Sequence, residues 1–285
     1  MSKNPSLRQP IGPLSLGNVV SAGLRIYRDH FKSYFGLSIK ALLWALIPIY
    51  GWAKIYQIQA IISRQVYKEL VNQPEPISTS RSYIEQRFWS FWVAQILIGS
   101  MSLGGYFISF LLLNILVVIP PIFLGNISNL NSGLTPISIA LDLGVRFIAI
   151  IIYVWLYSHF FISELPLAIE HNMNSTNSIG RSWELTKAFL LRIQVIILVA
   201  SLITLPIVLV TIAPVFFIIP LLSTSSSPEV VLGSFFLMGL LGMILAIVGT
   251  TLMMPFWQAI KAVIYYDIRS RQEGLGLRIR DLGLH

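Results

Sequence analysis

The side chains able to do chemistry are few and widely spaced. Lys40, Gln57, Gln59, Gln95, Asn114, Asp142, Arg146, His159, Glu164, Gln194 and Gln258 interrupt otherwise apolar stretches. An ionisable or amide group inside a bilayer is costly, so each needs a partner or a purpose. Asp142 and Arg146 stand four apart at a helix start, the spacing of a side-chain ion pair. His159 and Glu164 flank the end of an apolar segment, where a proton or ion relay could sit. No second carboxylate follows at helical spacing, which favours a hydrogen-bonded structural histidine. Gln and Asn in such segments tie helices together, each contributing about 1 kcal/mol.

Signatures of catalysis are missing from the sequence. It contains no HExxH, no GxSxG elbow and no Walker A loop. The 4 histidines, His30, His159, His171 and His285, are too scattered for a metal site of recognisable spacing. With no cysteine, disulfides, thiolate zinc, iron–sulfur clusters and thiol catalysis are excluded. Glu164, Glu170 and His171 form the one grouping an interfacial enzyme could use. The expectation is therefore no catalytic residue, no metal and no cofactor. Asn126-Ile127-Ser128 and Asn174-Ser175-Thr176 match the glycosylation triplet, a pattern common by chance.

The elements that must hold these residues are apolar and long. No Lys, Arg, Asp or Glu occurs from Phe88 to Leu141, from Ile193 to Pro228, or from Val230 to Ile260. A hydrocarbon core about 30 Å thick needs roughly 20 apolar residues in a helix to cross it. Of 285 residues, 55% are hydrophobic and 11% charged, against about 25% charged in soluble domains. The net charge of +8 lies mainly at the borders of apolar segments. That distribution suits topology control and anionic head groups, and it argues against nucleic acid as a partner.

Along the chain, 1–13 reads as a flexible tail and 14–33 as an amphipathic helix. Leu16, Val20, Leu24, Tyr27 and Phe31 share one face of that helix, and Arg25, Arg28 and Lys32 the other. Such a helix lies either on the lipid interface or against the protein's own bundle. Residues 34–264 form a transmembrane bundle of about six segments, giving an all-α polytopic fold. The first two, Tyr34–Tyr50 and Trp52–Leu70, form a hairpin turning at Pro48 and Gly51, with Gly51 on the far side. No short apolar region followed by a small-residue cleavage site precedes Ser33, so the first span would direct insertion. Six segments with both termini in the cytoplasm leave only Lys54 and Arg146 on the opposite face. Residues 265–285 form a basic cytoplasmic tail, in which Tyr266, Arg269 and Arg271 suit head-group contact.

Two stretches carry more pattern. Glu164 and Glu170 lead into Ser182-Trp183-Glu184-Leu185-Thr186-Lys187, and the last apolar segment closes with Tyr265-Tyr266-Asp267-Ile268-Arg269-Ser270-Arg271-Gln272-Glu273-Gly274. With the basic helix before the first span, these resemble the membrane-domain family attached to some glycerophosphoryl diester phosphodiesterases. Tyr50–Lys54 and Glu69–Glu75 are also similar to uncharacterised cyanobacterial members. The resemblance covers most of the chain, and none of its motifs has an assigned chemical role. It implies an integral membrane protein of a bacterial plasma membrane or thylakoid. The phosphodiesterase activity belongs to a separate soluble barrel. The expected function is a non-catalytic accessory or scaffold. Arg25, Arg28, Lys32, Tyr266, Arg269 and Arg271 would meet anionic lipid or a partner membrane protein. A small transporter or lipid-handling protein using the Pro-broken helices is the alternative, and a membrane-embedded enzyme the third.

Overall fold

A computed structural model describes residues 14–123, 136–224 and 228–274. The tail 1–13, the Asn126 triplet and most of the C-terminal tail lie outside the described residues. Among the described residues the chain is entirely helical. In order the helices are α1 (Leu16–Asp29), α2 (Phe31–Trp44), α3 (Tyr50–Leu70), α4 (Ile77–Glu85) and α5 (Phe88–Phe123). They continue with α6 (Pro136–Phe160), α7 (Glu164–Ile169), α8 (Ser175–Thr186), α9 (Leu190–Thr224) and α10 (Pro228–Gln272).

Two of the shorter helices, α1 and α8, start on side-chain caps. The Ser15 side chain accepts from the Asn18 N–H to open α1, and Asn174 accepts from the Asn177 N–H to open α8. Each satisfies one of the donors a helix N-terminus leaves over. Between α2 and α3 the chain reverses through Pro48 and Ile49, with Ile49 at φ 62°. Any side chain at Gly51 would run into the Trp44 carbonyl, so the turn admits only glycine.

Four helices are long and apolar enough to cross a membrane, over Phe88–Ile115, Ile139–Ile169, Leu190–Pro214 and Val231–Gln272. They lie on α5, on α6 running on into α7, on α9 and on α10, and they pack as two antiparallel pairs, α5 with α6 and α9 with α10. We call this part the stem. At Gly249 an added Cβ would come within 2.6 Å of the Thr211 side chain on α9, so the α9 side chains pack directly on the glycine of α10. Elsewhere the stem presents large apolar side chains outward: Leu198, Leu202, Phe107, Phe147 and Phe236 are all exposed.

At one end of the stem the remaining helices build a head around the C-terminal half of α10. Phe256, Ala259, Ile260, Ala262, Val263, Ile264 and Tyr265 are buried there. Helix α1 runs antiparallel to α10: the Leu14 N–H meets Asp267, Gly23 lies on Ile260, and the Tyr27 hydroxyl donates to the Leu252 carbonyl. Its docked seam is Val19, Ala22, Gly23 and Ile26, while Leu16, Leu24 and Phe31 stay exposed. The expected apolar face is thus split between a protein seam and an outer edge. Helix α3 runs parallel to α10, with Ser63 at Gln258 and Tyr67 at Tyr265.

The hairpin formed by α2 and α3 is not among the four long apolar helices. Fourteen residues in α2 extend roughly 21 Å, short of a crossing, and α3 carries Lys54, Arg64, Lys68 and Glu69. Its tip packs on the start of α5: the Tyr50 and Phe88 rings lie 5.4 Å apart, and Lys54 Nζ is 5.2 Å from the Phe88 centroid. Trp52 and Tyr56 meet Trp92 one turn further on. A hairpin crossing beside α5 would have its tip at the other end of that helix. Lys54 therefore shares an end of the molecule with Arg87.

Candidate functional site

The head encloses three clusters of charge, each formed by segments far apart in sequence. At the first, Asp267 is 1% exposed and accepts from Leu14 N–H at 2.7 Å, Arg192 Nε at 2.9 Å and Arg271 Nε at 3.2 Å. The same two arginines donate to the Leu14 carbonyl. One carboxylate and the backbone of one residue, Leu14, thus join the start of α1 to α9 and α10.

The second cluster joins the two patterned stretches. Arg269 Nε reaches Glu273 at 2.7 Å, Arg181 on α8 pairs with the same Glu273, and Arg181 also lies 3.5 Å from Glu170. The Tyr265 hydroxyl donates to Glu170 at 2.5 Å, and Arg269 reaches the Tyr67 hydroxyl at 3.2 Å. Around α7, Arg64 donates to the Ala168 carbonyl at 2.7 Å, and Arg87 to those of Leu167 and Glu170 at 2.9 and 2.8 Å. These carbonyls end a short helix and would otherwise lack donors. Arg64 and Arg87 also flank the Tyr83 ring at 3.8 and 4.6 Å. Arg64 pairs with Glu75 at 2.6 Å, and Ser80 donates to it. Burial pushes the Glu75 carboxyl up, but the Arg64 and Ser80 hydrogen bonds outweigh it and hold the group below the usual carboxylate range. Burial raises the Glu69 carboxyl instead, with His30 at 3.3 Å pulling the other way.

The third cluster sits where head meets stem. Glu164, 2% exposed, accepts from Lys261 Nζ at 3.1 Å. Ser63 lies 3.4 Å from the same Glu164 oxygen and donates to Gln258 Oε1 at 2.8 Å. Gln57 is also buried here in the head, and its amide nitrogen lacks a hydrogen-bond partner.

Beside Gln258 an apolar groove of about 470 Å³ opens between α2, α3 and α10. Ala41, Leu42, Ile55, Met253, Met254 and Trp257 supply its walls, with Gln59 and Gln258 among its polar atoms. Apolar clefts of this size with a few placed polar groups are the usual form of a small-ligand site.

The sequence-predicted residues fall into different settings. Asp142 and Arg146 pair at 2.7 Å on the outer surface of α6. His159 is buried, stacks on Trp183 at 3.9 Å and has Nδ1 3.0 Å from the Thr186 hydroxyl. Arg28 and Lys32 are exposed and Arg25 is partly so, while Lys40 is exposed on α2. Tyr266 is 2% exposed and Arg269 is half-buried, whereas Arg271 is exposed although it donates to Asp267 and to the Leu14 carbonyl. Their surroundings come from α1, α8 and α10 itself, which a border reading of the sequence could not foresee. The Asp267–Arg271 and Arg269–Glu273 pairs were legible as four-residue spacings. Arg192 with Asp267, Lys261 with Glu164 and Arg64 with Ala168 link positions with no local signal.

No family model matches the chain, and no curated protein or solved structure matches it either.

Proposed function

We propose that this chain is a non-catalytic integral membrane accessory protein that engages lipid through its head and the groove beside it. The observation that carries the reading is how the charges are used. Asp267, Glu273, Glu170, Glu75 and Glu164 all face cations of the same chain. The head is a clasp that closes on itself, and the motifs resembling the phosphodiesterase-associated membrane domains build it. Outward cations at one edge, Arg25 and Arg28 on α1 with Lys32 and Lys40 on α2, stand where anionic head groups would meet them. A partner membrane protein is the other occupant of that basic face.

In this reading the chain crosses the membrane four times, and the α2–α3 hairpin remains on the side of the head. The basic residues support it: with Lys54 beside Phe88, Arg146 is left at the opposite end among the described Lys and Arg. By the bias of Lys and Arg toward cytoplasmic loops, the head faces the cytoplasm of a bacterial plasma membrane or the equivalent side of a thylakoid. Single cysteines at Ser78, Leu46 and Glu229 of this Cys-free chain test the arrangement. With four crossings, Leu46→Cys labels from the same side as Ser78→Cys, and Glu229→Cys from the other. Labelling of Leu46→Cys with Glu229→Cys would restore the six-segment arrangement.

The second reading, a lipid-handling protein, is favoured by the apolar groove, whose lining includes Thr250, Thr251, Met253 and Met254 of α10.

A further inference from the structure

We propose that the groove between α2, α3 and α10 holds one acyl chain of an ester-linked lipid, with an ester carbonyl accepting a hydrogen bond from the Gln258 amide. Gln258 is 3% exposed and lines the groove, yet its one hydrogen bond is the Ser63 hydroxyl on its carbonyl oxygen. Its amide nitrogen is without a partner among the described residues. An amide N–H that meets no protein acceptor at an apolar groove leaves that hydrogen bond to a ligand acceptor.

The remaining lining fixes the chemistry of that ligand. The hydroxyl hydrogens of Ser38, Thr250 and Thr251 are spent on the carbonyls of Tyr34, Ala246 and Ile247. The donors left in the lining are the Gln258 and Gln59 amides and the Trp257 indole N–H, so an acceptor on the ligand is matched there. No Lys, Arg, Asp or Glu lines the groove, so that group is neutral. An ionised free fatty acid would bring a carboxylate without a counter-charge, whereas an ester carbonyl brings a neutral acceptor attached to an apolar chain. The flexible Met253 and Met254 suit a chain of variable conformation. Supply is immediate, because the groove adjoins the part of α10 whose Leu240, Leu241, Met243 and Ile244 are exposed.

The proposal rests on the membrane placement proposed above, and its test separates the two. The full chain in nanodiscs is photolysed with phosphatidylcholine bearing a diazirine in an ester-linked acyl chain, and in parallel with the ether-linked analogue. Crosslinks are expected at Ile55 and across Met253–Trp257, with the ester probe favoured about 5-fold, the worth of one hydrogen bond. Gln258→Leu should remove that preference while leaving stem labelling at Phe235–Leu237 unchanged. Ala45→Phe, at an exposed position on the groove wall, should reduce both probes there. Equal ester and ether labelling in the wild type, or groove labelling no stronger than the stem background, would overturn the proposal. Absence of stem labelling would overturn the membrane placement itself. A free fatty acid probe that outcompetes the ester lipid would assign the groove to a different ligand.

Discussion

Helix α10 passes through two different surroundings, and Pro255 stands near the border. Before it, Leu232, Phe235, Phe236 and Leu237 are 60–73% exposed; after it, Ala259, Ile260, Ala262 and Val263 are fully covered. Both halves are helical and both are apolar. What differs is the partner: the first half leaves bulky side chains exposed, while the second buries bulky and small ones alike against other helices. Alanines at 259 and 262 and Gly23 on α1 let backbones approach, and the helices gathered there bring their charges with them. Polar chemistry in this protein belongs to the packed half, because protein supplies the counter-charges that lipid cannot.

The sharpest way to break that contrast is Asp267→Ala. It would leave Arg192, Arg271 and the Leu14 N–H without their acceptor, and removing one member of a buried pair costs about 3–5 kcal/mol. Thermal unfolding in detergent should fall steeply, and a change under about 1 kcal/mol would mean that apolar packing alone holds the head. Next comes the junction cluster. Glu164→Gln strands Lys261 and should cost a few kcal/mol, while the joint change Glu164→Leu with Lys261→Met should restore most of it, since apolar replacement of a whole buried pair is often neutral. A double variant no better than the single one would give the pair a role besides neutralising charge.

Acid titration sharpens the same point at the head's edge. The Glu75 carboxyl is held low by Arg64 and Ser80, so its contribution is full above the unfolded value of about 4.3 and is lost as pH falls through the lower folded value. Glu75→Gln should cost about 1.5–3 kcal/mol at neutral pH and flatten the acid side of the stability curve. Unfolding midpoints between neutral and acid pH measure both. The smallest effect is expected in the stem. Asp142→Ala removes half of an exposed pair, and about 0–1 kcal/mol should be lost in the same assay. A larger loss would place that pair against protein rather than at the surface.

Much of the stem was legible in advance because its determinant is local. Uninterrupted apolar length is a property of consecutive residues, and Phe88–Leu141 announced a membrane helix without knowledge of its neighbours. The Asp142–Arg146 pair was legible for the same reason. The head was not. Trp52–Leu70 read as a polar membrane segment because its docking on the start of α5 and along α10 is set by residues beyond any local window. Arg269 and Arg271 followed an apolar helix and so read as head-group anchors. Only the arrival of α1 and α8 supplies their surroundings, the Leu14 carbonyl beside Arg271 and Arg181 on the Glu273 that Arg269 holds.

Because α10 is one helix of 45 residues, roughly 67 Å long, the two surroundings are mechanically connected. A bilayer that thickens or thins asks its spanning helices to change tilt. For α5 and α6 that change ends at a loop or a short helix, but for α10 it continues into the centre of the head. Proline at 255 removes one backbone hydrogen bond near the border between exposed and covered residues. Bending there lets the stem follow the membrane while Asp267 keeps its hold on Leu14; rigidity there would turn membrane thickness into a force on that clasp.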